Sequence, residues 1–179
     1  MGRSIEDQVS LPPKHVVFVC TGNVCRSPMA EGFLRAMTAS QPPGSIIVES
    51  AGVGAFDGQY PSQHSVTVMK QEGIDISQQR SQQLTPQLIR EATHIFGMAT
   101  SHQYAIQTLF PEAIEKTFVL REFIVDDDLD LDVPDPIGMD LAEYERTRNL
   151  IKEAMPSVLK FVTDQPGGGL LPGEETFES

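Results

Sequence analysis

The chain has 179 residues, 40% of them hydrophobic, which suits one globular domain with a sizeable core. A net charge of −12 disfavours nucleic acid and anionic membrane surfaces, both of which call for a basic face. No apolar run nears the ~20 residues of a membrane span, and the two cysteines and four histidines complete no tetrahedral metal set, so neither metal nor cofactor is expected.

Residues 1–13 are polar, lack a secretory apolar core and end in Pro12-Pro13. They read as a flexible tail on a cytoplasmic protein. The domain proper is expected over residues 14–163. A first strand is predicted over 15–20, from the run Val16-Val17-Phe18-Val19. A helix follows from Pro28 to about Ser40, with Met29, Phe33, Leu34 and Met37 on one face and Gln41-Pro42-Pro43-Gly44 as its stop. Ser45 to Ser50 is a second strand. Ser62 to Glu72 is a helix with Gly73 in the C-cap position. Thr85-Pro86 opens a third helix, by a capping residue followed by proline, that reaches about Ala92. His94 to Met98 is a strand, Thr100 to Phe110 a helix halted at Pro111, and Thr117 to Leu120 a fourth strand. Residues 121–139 form an acidic connection whose aspartates lack the mid-loop Gly and final Glu of a calcium loop. The last helix starts near Asp140, with Glu143 three residues on. Ile151, Met155, Val158 and Val162 make its apolar stripe, and Pro156 within it is expected to kink it or remove one hydrogen bond. Residues 164–179, glycine- and glutamate-rich, read as a disordered tail.

Apolar runs alternating with amphipathic helices imply an α/β fold: a parallel sheet with helices on both faces. Sites in such sheets lie beyond the carboxyl ends of the strands. There the chain places Cys20-Thr21-Gly22-Asn23-Val24-Cys25-Arg26-Ser27, between the first strand and the first helix. Unpaired N–H groups and the helix dipole make that position an anion site. Gly22 and Asn23 tolerate the positive φ that turns N–H groups inward. Arg26 offers a planar fork to two oxygens of a phosphate. The same donors favour the charged form of Cys20, the candidate nucleophile. Ser27 is expected to cap the helix, with Pro28 at its first position.

Residues 19–28, Val-Cys-Thr-Gly-Asn-Val-Cys-Arg-Ser-Pro, resemble the signature loop of the low-molecular-weight protein tyrosine phosphatases. Asp135-Pro136 before the last helix is similar to the family's second element, and Ser50-Ala51-Gly52 and Gly73-Ile74-Asp75-Ile76-Ser77 also match. The resemblance implies a three-layer fold with a four-stranded parallel sheet of order 2-1-3-4. It implies a phosphorylated protein as substrate, Cys20 as nucleophile and Asp135 as general acid. It implies phosphate binding by Thr21, Gly22, Asn23, Val24, Cys25, Arg26 and Ser27, with Ser27 also bonding the sulfur and Asn23 bracing the loop. Cys25 resembles the family's second cysteine, which forms a reversible disulfide with the nucleophile and makes thiol reductants a partner; a monomer is expected.

The substrate signals divide. Many family members carry aromatic residues after Asp-Pro, where this chain has Ile137-Gly138. A related bacterial branch acts on phosphoarginine, and its Asp-Pro-aromatic-Gly pattern is similar to this one, as is the Ala-Gly-Val after the second strand, but it typically carries Thr at the position of Val24. Val24 looks more like the Ile of the tyrosine phosphatases. Gln79, Gln82 and Ala99 stand where His, Arg and Asp are common, which puts secondary bracing of the loop in question. Two other readings compete. An arsenate reductase of the same fold needs relay cysteines beyond Cys20 and Cys25. An inactive phospho-binding module would more naturally have lost Cys20 or Asp135.

Overall fold

The computed structural model describes residues 12–164, so the expected tails lie, but for Pro12, Pro13 and Asp164, outside the described residues. β1 (Lys14–Cys20) is the organising strand. It pairs in parallel with β2 (Ile46–Gly52) on one side and with β3 (His94–Gly97) on the other; β3 pairs in parallel with β4 (Thr117–Val119). The order is therefore 2-1-3-4, as the resemblance implied.

A strand turns successive side chains to opposite faces, and β1 feeds two cores. Val16, Phe18 and Cys20 point into the larger one, with α1 (Arg26–Met37), α2 (Gln63–Lys70) and α5 (Leu141–Asp164). Val17 and Val19 point into the smaller one, with α3 (Pro86–Glu91) and α4 (Thr100–Leu109). Burial on both faces is why the run is continuously apolar rather than alternating. Each such side chain contributes roughly 1.5–3 kcal/mol by leaving water. Phe161 of α5 stacks on Phe123 with ring centroids 4.3 Å apart and meets Phe118 edge-on at 5.0 Å, which seats α5 on the sheet.

Local signals hold at several ends. Thr85 Oγ1 accepts the Leu88 N–H at 3.2 Å, with Pro86 at the first helical position. Ser62 Oγ accepts the Ser65 N–H. Gly73 takes φ 74°, open to glycine at no steric cost. Asp140 Oδ1 accepts the Glu143 N–H at 3.1 Å. Two expectations are corrected. α1 begins at Arg26 rather than Pro28, its N-cap is Cys25, and it ends at Met37. Ser27 is thus inside the helix and does not cap it, because its hydroxyl is committed elsewhere. Of the two outcomes expected at Pro156, the helix shows the second: α5 runs unbroken to Asp164 and the Lys152 carbonyl loses its donor, both residues being exposed.

Candidate active site

The signature loop curls between the end of β1 and the start of α1. Positive φ falls on Asn23, at 56°, and not on Gly22. Asn23 is the loop's brace. Its Nδ2 donates to Ser27 Oγ at 2.8 Å and to Ser50 Oγ at 2.9 Å, while its Oδ1 accepts the Gln82 N–H at 2.9 Å. Those three bonds offset the strain of a left-handed non-glycine residue. Ser50 in turn donates to Glu31 Oε2 at 2.6 Å, and Arg35 pairs with the other oxygen at 2.9 Å. Burial nevertheless pushes the Glu31 carboxyl above the usual carboxylate range.

Cys20 is 2% exposed, with Ser27 Oγ 2.9 Å from its sulfur. Asn23 already donates to that hydroxyl, so the hydroxyl hydrogen is free to go to the sulfur, the nearer of its two acceptors; Ala51 O is 3.5 Å away. Among the described residues, the backbone N–H groups of positions 21–25 donate to no protein acceptor. Arg26 is 6% exposed. Its Nη1 donates to Val133 O at 2.9 Å, its Nη2 lies 3.5 Å from Asp135 Oδ2, and its buried Nε has no partner among the described residues. Unpaired donors cost free energy when buried, so this ring of N–H groups fits an oxyanion. Asp135 is exposed on the connection before α5, and its Oδ1 accepts the Ile137 N–H at 3.1 Å. The structure therefore brings Cys20, Arg26 and Asp135 to one place from three segments.

Cys25 sits in the same loop but in other company. Its sulfur approaches Tyr144 OH at 3.4 Å and Ser62 Oγ at 3.5 Å. Burial pushes its thiol up, and it holds the Tyr144 phenol up at about 12. Val24 is half-buried, its carbonyl taking the Ser62 N–H at 2.8 Å. Thr21 is exposed at the mouth, its carbonyl accepting the Gly54 N–H at 3.0 Å. Phe56, Tyr60, Ile137 and Met139 are large exposed apolar side chains, and the Arg80 guanidinium lies 3.5 Å over the Tyr60 ring.

A low molecular weight phosphotyrosine protein phosphatase model matches residues 15–166. The chain belongs to that family. It is 42% identical over 137 residues to a protein-arginine-phosphatase of Geobacillus stearothermophilus, covering 76% of this chain and 88% of the relative. It is 37% identical over 142 residues to a probable low molecular weight protein-tyrosine-phosphatase of Ralstonia nicotianae, covering 79% and 91%. The solved low molecular weight protein tyrosine phosphatase of T. tengcongensis superposes with a TM-score of 0.75 at 37% identity, over 83% of this chain and 99% of that one. The enzyme is thus a cysteine-dependent protein phosphatase, and its substrate class is phosphoprotein.

The three departures prove to be braced after all. Gln79 Nε2 donates to Pro28 O at 3.2 Å, and Gln82 Nε2 donates to Ser50 O at 2.9 Å. At Ala99 the work passes to His102, which the sequence analysis did not single out. Its Nε2 is 3.0 Å from Thr21 Oγ1, and its Nδ1 is 3.1 Å from the Ala99 nitrogen. The available signal was a histidine at the third position of the helix after β3, on the carboxyl side of the sheet where sites gather. Ser50, Glu31 and Tyr144 were likewise not assigned to the site.

Proposed function

We propose that this phosphatase hydrolyses phosphomonoesters of protein side chains, phosphotyrosine first, through a cysteinyl-phosphate on Cys20. What carries the reading is one loop that holds a sulfur, five N–H groups without acceptors among the described residues and a guanidinium with a spare donor. Thr21, Gly22, Asn23, Val24, Cys25 and Ser27 supply the amide cradle, and Arg26 the paired donors, for three equatorial oxygens. Cys20 Sγ attacks phosphorus in line, the ester P–O bond breaks, and Asp135 delivers its proton to the departing oxygen. Asp135, now a carboxylate, then takes a proton from water. The water oxygen attacks phosphorus, the S–P bond breaks, and the sulfur leaves as a thiolate to which Ser27 donates. Orthophosphate is released.

A second substrate reading has its own support, since the 42% identical relative is named a protein-arginine-phosphatase. The same steps apply with nitrogen as the leaving atom. Val24 weighs for tyrosine, because its side chain offers no hydrogen bond to a guanidino group. The test compares phosphotyrosyl and phosphoarginyl peptides on wild type and Val24→Thr, with chelator present. Phosphotyrosine preference in wild type, moving toward phosphoarginine in Val24→Thr, is expected. No turnover of either peptide, or turnover surviving in Cys20→Ser, overturns the mechanism.

Cys25 serves in this reading as a resolving thiol. Peroxide oxidises Cys20 to a sulfenic acid, the Cys25 sulfur displaces water from it, and thiol reductants reopen the disulfide. Peroxide-treated protein is expected to lose both thiols and regain activity with dithiothreitol; an irreversible Cys20 sulfinate with Cys25 still free sinks this role. A monomer in a reducing cytoplasm completes the reading, and sedimentation checks the first part.

A further inference from the structure

His102 is a buried titratable group, 4% exposed, that the proposed chemistry does not use. It occupies the third position of α4, and its placement follows from β1. Strand alternation sends Val17 and Val19 to the face covered by α3 and α4, and Thr21 is the next residue in that series. The side chain after the nucleophile therefore turns toward α4, where the imidazole meets it.

The geometry fixes which nitrogen does what. The Ala99 backbone N–H can only donate, so Nδ1 at 3.1 Å accepts. A neutral ring then carries its hydrogen on Nε2, which donates to Thr21 Oγ1 at 3.0 Å. Burial, with the Arg26 charge reinforcing it, pushes the imidazole down to about 4; Asp135 and Asp132 act against this and are outweighed. The arrangement therefore persists through neutral pH. Protonation would put a hydrogen on Nδ1 facing the Ala99 N–H.

The β3–α4 turn that His102 grips is itself tied to the acid loop. The Thr100 N–H donates to Asp132 Oδ1 at 2.7 Å, and the Val133 N–H to Met98 O at 2.9 Å. Arg26 closes the circuit through Val133 O at 2.9 Å. Val133 and Asp132 lie two and three residues before Asp135. Resting on the phosphatase reading above, we propose that His102 is a positioning residue for the reaction, tying Thr21 of the nucleophile loop to the β3–α4 turn and, through that turn, to the loop that carries Asp135. A bland alternative exists: a third-position side chain that caps the first N–H of its helix. That alternative, in which the N–H capped is that of Ala99 just before the helix, leaves the Thr21 bond without consequence.

The two roles separate by substitution. In His102→Asn the amide oxygen lies near the place of Nδ1, keeping an acceptor for Ala99 and deleting the donor to Thr21. In His102→Gln the amide nitrogen reaches the place of Nε2 and restores that donor. Thr21→Val removes the other partner at an exposed position and spares the core. The readouts are kcat and KM with p-nitrophenyl phosphate, protection of Cys20 from iodoacetate by inorganic phosphate, and thermal midpoint. His102→Asn is expected to lower kcat/KM roughly five- to tenfold, the scale of one neutral hydrogen bond, and to weaken phosphate protection similarly. His102→Gln recovers most of that loss. Adding His102→Asn to Thr21→Val costs nothing further, since the two act through one bond. Fully additive losses, or a lower thermal midpoint with unchanged kcat/KM and unchanged protection, overturn the proposal and leave a helix cap. Wild-type protein that binds phosphate but turns over no phosphomonoester would instead overturn the phosphatase reading, and the protection arm would still decide the role of His102.

Discussion

Two buried histidines make a quantitative claim about acid stability. His94 and His102 are each pushed down to about 4, chiefly by burial, with the Lys14 charge adding to it at His94 and the Arg26 charge at His102. In the unfolded chain both titrate near 6.5. The unfolded state thus binds more protons below pH 6.5, and acid favours it. Each histidine contributes its full stability above pH 6.5 and loses it as pH falls toward about 4. Integrating the two titrations from pH 7.5 to pH 5 gives about 2 kcal/mol per histidine, or about 4 kcal/mol for the pair. That is a large share of a typical 5–15 kcal/mol stability. His94→Phe isolates one of them. The ring keeps its edge-on contact with Phe161, now at 5.6 Å, and its stacking on Phe96, while the proton site is gone. Urea unfolding at half-unit steps over this pH range is expected to show wild type losing about 2 kcal/mol more than His94→Phe. Parallel loss in the two proteins, or a His94 ring signal titrating near 6.5 in the folded state, refutes the reasoning.

On the proposed mechanism Asp135→Asn removes the proton donor and leaves the cradle intact; kcat for a phenyl phosphate is expected to fall roughly 10²- to 10³-fold, with smaller losses for esters of acidic alcohols that leave unaided. Arg26→Lys keeps the charge but gives up both the Val133 carbonyl bond and the planar fork, so kcat/KM should fall at least about 10²-fold in steady-state assays. Gly52→Ala should cost about 1–3 kcal/mol in urea melts and reduce turnover, because an added Cβ would run into the Thr21 carbonyl and lie 2.8 Å from Ala55 Cβ. A fully active, equally stable Gly52→Ala protein would contradict the close approach of β2 to the nucleophile loop.

What could be read from the sequence depended on how far apart the interacting residues lie. β1 and β3 announced themselves because Val16 to Val19 and Ile95-Phe96 are buried on both faces and so run apolar without a break. Their order did not come from that pattern; it came with the family likeness. Thr85-Pro86 and Gly73 were correct because a cap or a positive φ is decided within four residues. The start of α1 was misplaced for the same reason. Ser-Pro is a sound local start signal, but Ser27 Oγ is drawn to a sulfur seven residues back, an interaction a cap rule does not contain. His102 was missed because its partner is 81 positions away, and the bond exists only once β1 and β3 lie side by side.

The departures at Gln79, Gln82 and Ala99 show why a position-by-position comparison overstates their cost. A cradle of unpaired N–H groups is unstable by itself, since the same donors that would hold a phosphate also repel closure of the loop. What must be preserved is the number of fixed points around it, not the residue supplying each. Here Asn23 is fixed at three points, Thr21 at two and Arg26 at one carbonyl. Gln82 supplies its contact partly through a backbone N–H, which any residue could offer, and the loss of a side-chain acceptor at Ala99 is met by an imidazole one turn further on. On that view His102 and Ala99 are coupled: Ala99→Asp gives the turn a carboxylate acceptor of its own and should lessen the loss in thermal midpoint of His102→Ala, which removes the acceptor that His102→Asn keeps. An Ala99→Asp background in which His102→Ala lowers the thermal midpoint as much as before would mean that the two positions do separate jobs.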